Sequence, residues 1–100
     1  MYIKVQQNDD IYLLDKSMIA ILAPWCGYCK ELKESHVLDD LSKKIDIIEI
    51  SDTHKDADRI MEKSKHATYP CLVLYKNGRL IAFKDERNLR NLNTFLKKLF

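Results

Sequence analysis

An α/β fold with one mixed sheet and helices on both faces is what this chain of 100 residues predicts. Two observations lead there. Short apolar runs of strand character, at residues 18–22, 45–50 and 71–75, alternate with segments whose apolar side chains recur at helical spacing. Lys76-Asn77-Gly78-Arg79 then carries the Asn-Gly signal of a tight hairpin. Parallel crossovers followed by an antiparallel pair give a mixed sheet covered on both sides. The length suits a single domain over residues 1–100 with one core, and is too short for two.

Composition narrows the function classes. With 46% hydrophobic and 32% charged residues the chain reads as an ordinary globular protein. Its net charge of +2 gives no reason to expect a nucleic-acid or membrane partner. The basic last quarter (Lys76, Arg79, Lys84, Arg87, Arg90, Lys97, Lys98) is interleaved with Asp85 and Glu86, and reads as a solvated face. No apolar run has the length of a membrane span, and no basic-then-apolar leader precedes the first strand. The chain opens on Met1 and holds three cysteines, so a complete chain in the reducing cytoplasm is expected, without a structural disulfide framework.

Taken in order, residues 2–6 alternate apolar and polar side chains and suit a short edge strand. Asn8, Asp9 and Asp10 can cap a short helix containing Ile11, Leu13 and Leu14. Residues 18–22 are apolar throughout, which fits a strand covered on both faces. A charged helical segment follows over residues 30–44. Leu32 is out of phase with Val37, Leu38 and Leu41, so a break near Ser35-His36 is expected, with Ser35 capping the second piece. Residues 45–50 form a strand carrying Asp46 and Glu49 among apolar neighbours. Ala57, Ile60, Met61 and Ser64 mark one face of the next helix. Tyr69-Pro70 precedes the strongly β-prone residues 71–75; residues 80–83 return as the hairpin partner. Residues 88–100 end the chain as an amphipathic helix, with Leu89, Leu92, Leu96 and Leu99 at helical spacing.

The stretch with chemical character is Ala23-Pro24-Trp25-Cys26-Gly27-Tyr28-Cys29-Lys30, at the junction of strand and helix. Unpaired N–H groups and the positive end of the helix dipole favour a thiolate at the first cysteine. The second cysteine lies one turn inside and can close back on the first, so the pair can cycle between dithiol and disulfide. A C-x-x-C pair alone also fits zinc sites and structural pairs.

Three marks resemble the thioredoxin family over nearly the whole chain: A-P-W-C-G-Y-C-K after a buried strand, Tyr69-Pro70 just before a strand, and the Lys76-Asn77-Gly78-Arg79 turn. The resemblance implies the thioredoxin fold, Cys26 as attacking thiolate and Cys29 as the resolving thiol. It implies Trp25 in the docking surface, and Pro70 in a cis peptide against the sulfurs, presenting the Tyr69 backbone to an extended peptide. Where thioredoxins carry a buried Asp six residues before the first cysteine, this chain has Ala20. Glu49, in an otherwise apolar strand, is the candidate replacement as proton acceptor for Cys29; a buried carboxyl there would titrate high. Tyr28 replaces the proline usual between thioredoxin cysteines, resembles the Tyr of glutaredoxin C-P-Y-C motifs, and adds an aromatic flank for substrate. Glutaredoxin signatures are otherwise weak, with no T-V-P and no Gly-Gly pair near Lys84-Asp85-Glu86. The Tyr-Pro pair resembles that of protein-disulfide-isomerase domains.

Cys71 reads as a small buried hydrophobe; the sharper alternative is a third ligand, with Cys26 and Cys29, for zinc or an iron–sulfur cluster. His36, His54 and His66 have no metal spacing, and Met61 reads as core. The expected function is therefore a cytoplasmic thiol–disulfide oxidoreductase acting on disulfide-containing protein substrates, a monomer without cofactor or metal. Its electron donor would be a thioredoxin-reductase-like protein or glutathione. The alternatives are a glutaredoxin-like protein, a metal or iron–sulfur carrier, and a binding module using the groove near Trp25 and Tyr69. Losing the proline at Tyr28 relaxes the first helical turn. The disulfide is thus expected to be more oxidising than in typical thioredoxins, near or above roughly −270 mV; equilibration against a glutathione buffer measures it, and a clearly lower value refutes it.

Overall fold

In the computed structural model, which describes residues 1–11, 16–66 and 68–99, strand β2 (Ser17–Leu22) is buried at every position. It lies at the centre of a five-stranded sheet of order β1-β3-β2-β4-β5. The flanking strands are β1 (Tyr2–Lys4), β3 (Asp46–Ser51), β4 (Cys71–Lys76) and β5 (Arg79–Phe83). β1 and β2 both pair parallel with β3; β4 runs antiparallel to β2, and β5 antiparallel to β4. The helices are α1 (Gly27–Glu34), α2 (Val37–Leu41), α3 (Ala57–Ser64) and α4 (Leu89–Leu99).

Alternation along each strand sends successive side chains to opposite faces and so creates two cores. Met18, Ala20, Leu22, Ile47, Leu72 and Leu74 pack under α1, α2 and α4. Ile19, Ile21, Ile48, Ile50, Cys71 and Val73 pack under α3, through Ala57, Ile60 and Met61. A fully buried Ile or Leu contributes about 1.5–3 kcal/mol, so the apolar β2 that both cores share holds the sheet together. The mixed sheet with helices on both faces agrees with the sequence.

Several details differ from expectation. Of the helix expected after Asn8, the residues up to Ile11 form turns and a bend, while Leu13 and Leu14 lie outside the described residues. β1 ends at Lys4, earlier than the alternation suggested, and β3 is displaced one residue toward Ser51. The break at Ser35-His36 is present: His36 takes a left-handed backbone (φ 60°) between α1 and α2. Ser35 belongs to the end of α1, its hydroxyl donating to the Leu32 carbonyl at 2.7 Å, and His36 holds the N-cap position of α2. The Ser35 oxygen takes only a long 3.4 Å contact from the Val37 N–H. In the hairpin, Asn77 (φ 52°) and Gly78 (φ 76°) both adopt positive φ, the conformation a two-residue turn of matching twist requires.

His54, in the loop between β3 and α3, is buried. Its Nε2 faces the Asp9 carbonyl at 2.8 Å and its Nδ1 accepts the Asp56 N–H at 3.0 Å. This ring ties the segment after β1 to the start of α3, close to the carboxyl ends of β2 and β3, where the parallel strands deliver their loops.

Candidate active site

β2 ends at that edge, and the chain turns through Ala23 and Pro24 into α1, the Cys26 N–H bonding back to the Ala23 carbonyl at 3.1 Å. Cys26 is the N-cap of α1, with extended backbone (φ −93°, ψ 115°), and its Sγ accepts the Cys29 N–H at 3.2 Å. A sulfur thus does what a Ser or Asp oxygen does at other helix starts. The sulfur stands at the positive end of the helix, where negative charge is favoured. Both are free thiols; Cys26 is 7% exposed and Cys29 2%. Burial, then the hydrogen bond with Cys26, pushes the Cys29 thiol up to about 12.

Trp25 and Tyr28 project into solvent, 69% and 71% exposed. Trp25 is nonetheless fixed: its indole N–H donates to Asp52 Oδ2 at 3.1 Å, and its ring meets Tyr69 edge-on with centroids 5.3 Å apart. The Tyr69–Pro70 peptide is cis, and Pro70 is buried. Cys71, the next residue, is in register with Ile21 of β2, so this loop reaches the strand end that leads into the cysteines. Arg87 closes the far side, its Nε donating to the Pro70 carbonyl at 3.1 Å. Its positive charge opposes the rise of both Cys29 and Cys71. Arg87 therefore does not belong to the solvated basic face that the sequence suggested.

Glu49 is 5% exposed and lies on the α1 face of β3, directly beside Ala20 in the parallel register. It accepts the Tyr2 hydroxyl at 2.5 Å, and Lys33 Nζ of α1 stands 3.3 Å from Oε1. Burial and then this hydrogen bond push the Tyr2 phenol above its usual range. A cavity of about 470 Å³ places Glu49 and Lys33 on the same walls as Cys26 and Cys29. Cys71 is not brought to this group. It points into the α3-side core, where burial pushes its thiol up to about 11. Among the described residues no three His, Cys, Asp or Glu side chains are grouped to hold a metal ion.

Tyr2, Lys33, Asp52 and Arg87 were not singled out from sequence. Each contacts the site through a fold-dependent approach, and no motif marks them. The two sulfurs should be separable by reactivity. In native, reduced protein, iodoacetamide should label Cys26 first and leave Cys29 protonated and largely unmodified through about pH 10. In denaturant both should react; mass mapping checks this, and equal native labelling near pH 9 would contradict the buried resolving thiol.

The Thioredoxin family model matches residues 4–98. Protein disulfide isomerase-like 1-4 of Oryza sativa subsp. japonica is 31% identical over 104 aligned positions, covering 96% of this chain and 18% of that protein. This chain thus spans about a fifth of that relative's length. Among solved structures, the first thioredoxin domain of mouse protein disulfide-isomerase A4 superposes with a TM-score of 0.66 at 20% identity, over 85% of this chain and 63% of that one. Oxidised thioredoxin from Plasmodium falciparum superposes with a TM-score of 0.62 at 23% identity, over 85% and 81%. A cysteine-capped helix after a buried central strand, within a mixed five-stranded sheet and a match over almost every residue, places this chain in the thioredoxin family.

Proposed function

We propose that this protein is a thiol–disulfide oxidoreductase that reduces or exchanges disulfides of protein substrates through Cys26 and Cys29. The observation that carries this reading is the Cys29 N–H aimed at Cys26 Sγ at 3.2 Å, with the Cys29 thiol buried behind it. A thiolate at Cys26 attacks one substrate sulfur; the substrate S–S bond breaks and its second sulfur leaves as a thiolate. Cys29 then loses its proton and attacks Cys26 Sγ, releasing the first substrate sulfur and leaving the Cys26–Cys29 disulfide. Two electrons have passed to the substrate.

Burial, the largest cause that raises the Cys29 thiol, opposes formation of that second thiolate near neutral pH. Glu49 is the proton acceptor in this reading, because among the described residues it is the one carboxylate on the walls of the cavity that holds Cys29. Lys33 and the Tyr2 hydroxyl fix its orientation. The exposed faces of Trp25 and Tyr28, with Tyr69 and Pro70 across the groove, form the surface on which an extended peptide docks. The Asp52 bond holds the indole in place before substrate arrives.

Reduction of insulin by dithiothreitol tests the reading, and Cys26→Ser should fall to the uncatalysed background. Glu49→Gln should slow reduction by roughly 10–100-fold, the scale of a lost general base. Its stability should change by no more than about 1 kcal/mol, because Lys33 is half exposed and Tyr2 can donate to the amide oxygen. Full activity of Cys26→Ser would refute the enzyme; an unchanged rate in Glu49→Gln would remove the proton acceptor alone.

A further inference from the structure

Arg87 has hydrogen-bonding capacity at the Pro70 loop that sulfur exchange does not use. It lies half-buried in the segment between β5 and α4, and its Nε donates to the Pro70 carbonyl at 3.1 Å. That bond anchors the guanidinium to one wall of the proposed peptide groove. It is the one side-chain hydrogen bond of Arg87 among the described residues, so the terminal nitrogens have no acceptor there. They reach solvent, because no side-chain nitrogen or oxygen among the described residues is both buried and unpartnered. The segment that carries them is braced. The Glu86 carbonyl accepts the Asn88 N–H at 2.9 Å and Asn91 Nδ2 at 3.0 Å, and Asn88 Oδ1 accepts the Asn91 N–H at 2.8 Å.

Further positive charge gathers at the same place. Burial, then the charges of Arg87 and Lys84, holds the His66 imidazole below its ordinary range. Its Nε2 lies 3.0 Å from Oγ1 of Thr68, the residue directly before Tyr69. Asp85 and Glu86, between the two cations in sequence, form no ion pair with either among the described residues. A planar fork with open donors, backed by a second cation, matches the geometry and charge of a carboxylate.

We propose that Arg87, assisted by Lys84, binds an Asp or Glu side chain of the protein substrate close to its cystine. The inference rests on the proposed exchange chemistry and adds a preference among its substrates. The contact sets specificity and takes no part in the sulfur chemistry. Because the Arg87 charge also acts on Cys29, the carboxylate belongs to a residue flanking the cystine and not to a distant part of the substrate.

The experiment uses the whole protein, recycled by dithiothreitol, and synthetic disulfide-cyclised peptides identical except for Glu, Gln or Lys at one position. That position is placed next to either half-cystine in turn. At low salt, kcat/KM should be about fivefold higher for the Glu peptide than for the Gln peptide in one placement, and lowest for Lys. The differences should shrink at roughly 1 M salt. Lys84→Gln should lower the Glu-to-Gln ratio about twofold. Arg87→Lys, which keeps the charge and loses the fork, should lower it about threefold, and Arg87→Gln should bring it to about one. Each ratio is taken within one variant, so a general loss from disturbing the Pro70 loop cancels. Lys97→Gln, in the last turn of α4, should leave the ratio intact. Equal kcat/KM for the Glu and Gln peptides in both placements, or a ratio that no Arg87 or Lys84 variant changes, would overturn the inference and leave insulin reduction standing. Failure to reduce insulin and every peptide would strike the oxidoreductase reading, and this preference with it.

Discussion

A single hydrogen bond, from the Cys29 N–H to Cys26 Sγ, ties the fold to its chemistry. It exists because the chain leaves a strand buried on both faces, turns through Ala23-Pro24, and starts a helix whose first orphan donors need an acceptor. An oxygen-bearing cap would satisfy those donors equally well and be inert. With sulfur in that place, capping and reactivity become one requirement. Two packed cores, one under α1, α2 and α4 and one under α3, keep the strand end and the helix start in fixed relation.

On the proposed reading, the proton acceptor lies on β3, beside Ala20 of β2. The thioredoxin resemblance implies an acid at the point occupied here by Ala20. Glu49 is its cross-strand neighbour on β3 and faces the same side of the sheet. Moving a carboxylate one strand sideways changes its approach to the cysteines by about the 4.8 Å strand spacing, without leaving the α1 face. A phenol from the edge strand and an ammonium from α1 hold the carboxylate.

Much of this was legible in the sequence because it depends on local chemistry. The strands at residues 18–22 and 71–75, the Asn-Gly turn, the break at Ser35-His36 and the C-x-x-C junction follow from patterns within a few residues of one another. What was not legible depends on contacts across long separations. Tyr2 reaches Glu49 across 47 positions, and Trp25 reaches Asp52 across 27. Nothing in the neighbours of His54 reveals that its ring meets the Asp9 carbonyl. Arg87 looked like part of a charged tail, although it bonds to the Pro70 carbonyl. Burial of Cys71 was readable from its β-prone run, but only the pairing of β4 with β2 put it on the opposite face from the reactive pair.

Tyr2 gives the edge of the sheet an influence that its length conceals. β1 has three residues and only β3 as a neighbour, which puts it among the parts of a fold that fray first. When it lifts away, the phenol goes with it, and the carboxylate loses that hydrogen-bond donor. The rate at which the inner sulfur gives up its proton would then follow the breathing of a terminal segment. On the proposed reading, a hydrogen bond from the chain's first strand thus bears on the chemistry of the cysteines.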